Sequence, residues 1–334
     1  MKVGLWSDSH NFPSVPLMKI SAYHKRIGDK VEFIKHYELL SGNRISDYYD
    51  KVYFSKVFTE TNEPDFEILC SDIQRGGSGY DLKNKLPDYI EGMFPDYSLY
   101  PEYNFAVGFL TRGCPRVNHT FCITPKKDGT CVKKVANLEN FWNGQPEIKL
   151  LDQNLLACKE HMELLQQLID SKVYVDFTGG TDARFTNEQN LELLARIKVK
   201  QHHFAWDDPK EDLREQFIRI REILPTNERN TSVYVLTNYW STHEEDLMRI
   251  YWLRDYGFTP YVMVFDKQKF VDARGNLRKD VHKYFTHEQI HHFKICQLMQ
   301  RWCNSRFVFR KCSDFTEYHW YKQYLKKKSG CSSY

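Results

Sequence analysis

The chain has 334 residues, 41% of them hydrophobic and 27% charged, with a net charge of +3. That length gives room for one large domain or two, each with a sizeable core, and the balance is that of an ordinary globular protein. So small a net charge carries no strong nucleic-acid signal and no acidic tail, and the basic run Lys326, Lys327, Lys328 reads as a solvated terminus.

No window approaches the roughly 18 uninterrupted apolar residues of a membrane helix, and MKVGLWSDSHN lacks the features of a signal peptide; both predict a cytoplasmic protein without a membrane partner. Nine cysteines, an odd number at irregular spacing, do not make a disulfide framework and read as free thiols or metal ligands. Aromatic residues inside apolar runs such as VYFSKVF and YVMVF read as core.

The first hundred residues predict a small α/β unit. MKVGLWSD is an apolar strand that ends at polar Asp8, Ser9 and His10. A helix follows over 15–27, stopped by Gly28. KVEFIKHY and DKVYFSKVF alternate as strands. This order with short connections implies a parallel, Rossmann-like layer over residues 1–100. The glycine-rich segment from Arg75 does not fit GxGxxG and is not a dinucleotide fingerprint. Residues 94–104, rich in proline and tyrosine, read as a linker.

Residues 101–334 are strongly periodic. Apolar strands are predicted at 105–111, 147–152, 173–179, 202–208, 232–238 and 260–266, with helices at 155–171, 187–198, 213–224 and 244–257 between most of them. A long helical region surrounds 287–301 and leads into a helical tail. Six strand–helix units predict a partial (β/α)6 TIM-like barrel, so the expected fold class is α/β, a Rossmann-like domain followed by that barrel. In such an architecture the chemistry belongs at the carboxyl ends of the strands. Polar residues recur there: Cys114, Asp152, Asn154, Asp182, Arg184, Asp207, Asn238 and Asp266.

The first of these strand ends opens the stretch GFLTRGCPRVNHTFCITPKKDG (108–129), which spaces its donors Cys114-x4-His119-x2-Cys122. Thiolate and imidazole both ligate iron and zinc, and three ligands leave an open fourth position. Elsewhere, His287, Glu288 and His291 meet HExxH literally, but the helix is polar and lacks an evident third ligand, so this reads as a chance match. In SDSHNF, Pro13 stands where a DxHxxG cobalamin motif needs glycine. That argues against cobalamin ligated through His10 and leaves only cobalamin bound without a histidine ligand.

Taken together, TRGCPR, FCI and KKDG after the first barrel strand, then EIKLLDQNLLA, VDFTGGTDAR, FAWDDP, VYVLTNYW and PYVMVFDK, resemble the radical SAM superfamily. The likeness runs over nearly the whole chain and is narrowest to a bacterial and phage subgroup with a cobalamin-binding-like N-terminal domain. It implies a 4Fe–4S cluster, S-adenosylmethionine cleaved to a 5′-deoxyadenosyl radical, an electron donor such as flavodoxin or ferredoxin, and an unassigned substrate. The family holds its cluster with C-x3-C-x2-C. Here the middle cysteine is replaced, Asn118 and His119 stand in its place, the loop is one residue longer, and counting back from Cys122 puts His119 at the middle position. Cys131 is an alternative ligand.

The resemblance further implies Asp152 and Asn154 near the SAM amino group, Arg184 on its carboxylate, Asp207 on the ribose hydroxyls and Asn238 on adenine or substrate. Against these stand plainer readings: a structural salt bridge for Arg184, and a helix cap and turn for Asp207 with Asp208. Gly-Gly-Thr also replaces the subgroup's more usual Gln-Gly-Leu. Two functions are therefore expected in competition: a radical SAM enzyme with an atypical Cys-His-Cys loop, or a non-catalytic binding or regulatory relative that has lost the cluster.

Overall fold

Alternation along KVGLWS decides how the N-terminal sheet is built. Val3 and Leu5 point to one face of strand β1 (Lys2–Ser7), where they pack on Leu17 and Ile20 of helix α1 (Val15–Arg26) and on Ile90. Trp6 points to the other face, against Val52, Phe54, Ile34 and Tyr49. Both faces are covered, as a parallel sheet requires. The structure is a computed structural model that describes residues 1–9, 11–34, 49–61, 70, 72–225, 230–272 and 274–328. His10 and the end of the predicted strand KVEFIKHY lie outside the described residues. Within them, β2 (Lys30–Phe33) and β3 (Lys51–Ser55) pair in parallel with β1, and β4 (Ile73–Gly76) pairs in parallel with β3, giving the order β2-β1-β3-β4. The fourth strand draws on the glycine-rich stretch that suggested no element.

The chain divides into two units, Met1–Gly179 and Gly180–Tyr334. The first also contains the parallel strands β5 (Ala106–Gly108), β8 (Glu147–Leu150) and β9 (Tyr174–Asp176), with β8 between the other two. Segment 94–104, expected as a linker, is anchored by two tyrosines: Tyr100 is buried, and the Tyr97 hydroxyl donates to Phe141 O at 2.5 Å while accepting from Val107 N. Tyr97 is half-buried, and the burial of its hydroxyl pushes it up to about 12. A short antiparallel pair, β6 (Thr111–Arg112) with β7 (Lys133–Lys134), was not anticipated. The helix predicted over 155–171 is split into a 3-10 turn, Leu155–Ala157, and helix α2 (His161–Ser171). The break is at Cys158, whose extended backbone (ψ 140°) cannot continue a helix.

In the second unit β10 (Val199–Ala205), β11 (Thr231–Thr237) and β12 (Thr259–Val264) pair in parallel. Around them lie α3 (Glu188–Arg196), α4 (Arg214–Ile223), α5 (His243–Asp255) and α6 (His287–Cys303). Strand β10 starts earlier than the periodicity suggested because α3 stops at Arg196. Three helices begin with reciprocal side-chain caps: Asn187 with Asn190, Thr242 with Glu245, and Thr286 with Gln289. Helix α6 occupies backbone groups of β12 directly. Gln300 and Asn304 donate to Val262 O at 3.0 Å, and Asn304 Oδ1 accepts from Val262 N. The fold is thus α/β with parallel sheets, and no helix among the described residues is long and apolar enough to cross a membrane.

Candidate functional site

The loop that carries Cys114, His119 and Cys122 is anchored at both ends before its side chains are considered. At its start the Asp152 carboxylate, just past β8, accepts from Thr111 N (2.5 Å), Thr111 Oγ1 (2.6 Å) and Leu110 N (3.1 Å). These three donors favour the ionised form, yet burial outweighs them and pushes Asp152 up to about 6. At the loop's far side Cys114 N donates to Gly129 O, Arg112 pairs with Asp128 at 3.4 Å, and β6 closes on β7. Gly113 makes the entry tight: it sits at φ +104°, and a Cβ there would lie 2.4 Å from Cys131 O. Gly179 does the same beyond β9, where a Cβ would lie 2.0 Å from Asp152 O. The second residue of the Gly-Gly-Thr stretch sits in the left-handed region, φ +86°.

Within this frame Cys114 is buried and Asn154, 1% exposed, directs its side-chain amide at the Cys114 sulfur over 3.7 Å. His119 is buried and stacks on Phe121 with ring centroids 5.0 Å apart, whereas Asn118 is exposed. Of the two residues competing for the middle position, the imidazole is the one turned inward. Cys122 is half-buried, its thiol donating to Thr124 Oγ1 at 3.4 Å. Cys131 is exposed, its thiol near Val132 O. The donor set offered to a metal is therefore two thiols and one imidazole within nine residues (114–122). Cys114, His119 and Cys122 are not among the side chains whose ligand atoms lie within 4.8 Å of one another in the described residues.

The remaining residues lie in the second unit. Arg184 is committed to carboxylates there: its Nη1 donates to Asp182 at 2.8 Å, its Nε donates to Glu211 at 2.7 Å, and its Nη2 also pairs with Glu211. That is the structural salt bridge. Asn238, at φ +63°, donates to Phe265 O at 2.9 Å and so joins the ends of β11 and β12. Asp207 is half-buried, and its carbonyl accepts from Arg249 and Trp240. Asp208 makes the expected turn, accepting from Lys210 N.

Two features escaped the sequence reading. Arg249, fully buried, donates to the carbonyls of Trp206, Asp207 and Leu236 and to the carboxylate of Asp246, tying the ends of β10 and β11 to α5. His243, His292 and Cys296 form, among the described residues, the group of three whose ligand atoms all lie within 4.8 Å of one another. Its sequence signal was His292-x3-Cys296 on one helix, passed over in favour of His287 and His291. Those two are not paired: His287 is exposed with its ring near His282, and His291 bonds Tyr324. A scan of protein-family models finds no match to the chain, and neither does a search of curated proteins.

Proposed function

We propose that the chain is a radical SAM enzyme with an atypical ligand set, its 4Fe–4S cluster held by Cys114, His119 and Cys122. In this reading the N-terminal sheet is the Rossmann-like layer, and β5, β8, β9, β10, β11 and β12 are the strands of a partial (β/α)6 barrel. The observation that carries it is the Asn154 amide directed at the buried sulfur of Cys114. An N–H donor on a cluster sulfur is one of the means by which proteins set a cluster's potential, and a buried thiol has little need of such a donor otherwise. When bound, the cluster would supply one electron for cleavage of S-adenosylmethionine, drawn from a donor such as flavodoxin or ferredoxin.

The chain's own part would be to hold and tune. Asp152 fixes the loop's entry, Asn154 donates to Cys114, and the His119 imidazole in place of a thiolate raises the potential, as histidine ligands do in Rieske centres. The resemblance would further assign Asp152 and Asn154 to the SAM amino group, Asp207 to the ribose hydroxyls and Asn238 to adenine or substrate. The competing reading, a non-catalytic relative without a cluster, draws on Arg184: the guanidinium that would clamp the SAM carboxylate already serves Asp182 and Glu211.

Anaerobic reconstitution with iron and sulfide decides between them. About four irons per chain and an electron paramagnetic resonance spectrum altered by SAM are expected, with iron lost in Cys114→Ser and retained in His119→Cys. Iron at background level would overturn the enzyme reading.

A further inference from the structure

His243 is the first residue of α5, immediately after the cap Thr242, while His292 and Cys296 lie one turn apart on α6. The packing of these two helices stacks the imidazoles face to face, centroids 4.2 Å apart and planes 14° apart. Cys296 is completely buried beside them. His243 Nε2 meets His292 O at a long 3.3 Å, and the Cys296 thiol hydrogen-bonds with Thr237 and the backbone of Asn238, so no donor of the group is held by another's ligand atom.

Asp246 lies close to this group and has its cation in the Arg249 guanidinium at 2.5 Å. It lies one turn along from His243, is 0% exposed, and its charge acts on the Cys296 thiol. Only its Oδ1 is used, by Ser241 and Arg249; Oδ2 is buried with no hydrogen-bond partner. Arg249 supplies the positive charge such a buried carboxylate needs, so the case for a metal rests on the convergence of the three donors.

We propose that His243, His292 and Cys296 form a zinc site, with three protein ligands and a fourth position open. Two imidazoles and one thiolate are a donor set that selects zinc over the hard ions magnesium and calcium. Zn–N bonds of about 2.0–2.1 Å and Zn–S bonds of about 2.3 Å put tetrahedral donors roughly 3.3–3.6 Å apart, so donors within 4.8 Å must close by at most about 1.5 Å and the stacked imidazoles must turn until their lone pairs converge. The thiol, pushed up by burial, must lose its proton to the metal, so binding releases a proton.

The test is titration of the full chain with cobalt(II) under anaerobic conditions, followed by displacement with zinc. A thiolate-to-cobalt charge-transfer band with visible ligand-field bands of tetrahedral intensity is expected, abolished by Cys296→Ser and retained in Cys114→Ser/Cys122→Ser. His243→Ala and His292→Ala should each weaken zinc binding by more than about 100-fold, beyond what loss of an outer-shell partner costs, while circular dichroism shows them folded. Should Cys296→Ser fail to fold, the histidine variants decide. Absence of the band, its persistence without Cys296, or its loss in the loop variant would each overturn the assignment.

Discussion

Arg249 makes the sharpest mechanical prediction. Replacing it by methionine removes the cation that faces Asp246 at 2.5 Å, both side chains being 0% exposed, and takes the donors from Trp206 O (2.6 Å), Asp207 O (2.7 Å) and Leu236 O (3.1 Å). Breaking a fully buried pair from one side leaves the other charge uncompensated and costs about 3–5 kcal/mol. Most of that comes from the orphaned carboxylate and not from the lost attraction. Adding Asp246→Leu should therefore recover at least about 2 kcal/mol, leaving mainly the cost of carbonyls without their donor. The assay is urea unfolding in zinc-free buffer, followed by tryptophan fluorescence, since Trp206 is 1% exposed beside the pair. The denaturant slope should stay constant while the midpoint moves. A cost under about 1 kcal/mol for the single change, or a double variant less stable than the single one, would refute the reasoning.

Asp152 predicts a pH dependence. Its folded value of about 6 lies above the 3.8 of an ordinary aspartate, so the folded state binds the proton more tightly. The stability this contributes is full below about pH 4 and is lost as pH rises through 6, up to about 3 kcal/mol; urea titrations of Asp152→Asn should lack that component, and an unchanged pH slope would contradict it. Gly113→Ala, which sets a Cβ 2.4 Å from Cys131 O at positive φ, should cost about 1–3 kcal/mol and speed hydrogen exchange in residues 111–134, whereas an unaltered melting temperature would count against the tight entry. Thr242→Ala removes the cap that accepts from Glu245 N and should cost about 1 kcal/mol by thermal unfolding. In a reconstituted protein Asn154→Ala should lower the cluster potential, because the donor on Cys114 sulfur is gone; a potential unmoved in redox titration would detach Asn154 from the cluster.

Most elements could be read from the chain because they are local. Alternation in KVGLWS and SVYVLTN marks strands, and apolar spacing marks α3, α4 and α5. Where boundaries were missed, the cause lay in contacts. Cys158 adopts an extended backbone inside an apparently helical run, and β4, β6 and β7 exist because a partner strand lies alongside. The loop of Cys114, His119 and Cys122 could be singled out as a candidate from the chain because all its donors fall within nine residues (114–122). That His119 and not Asn118 turns inward was not legible, since burial is decided by what surrounds the loop.

Long-range partnerships show the same limit more strongly. The sequence by itself determined that the chain is α/β, that polar residues crowd the ends of its strands, and that Asp152 and Asn154 follow β8. Only the tertiary structure decided that Arg184 spends its charge on Asp182 and Glu211, and that Arg249 binds the carbonyls of Trp206, Asp207 and Leu236 together with Asp246. Only it brings His243 across 49 and 53 residues of chain to His292 and Cys296. The physical reason is that a pattern reports which face of an element is apolar, whereas the partner of a polar side chain depends on how two such faces pack, a relation that periodicity does not encode.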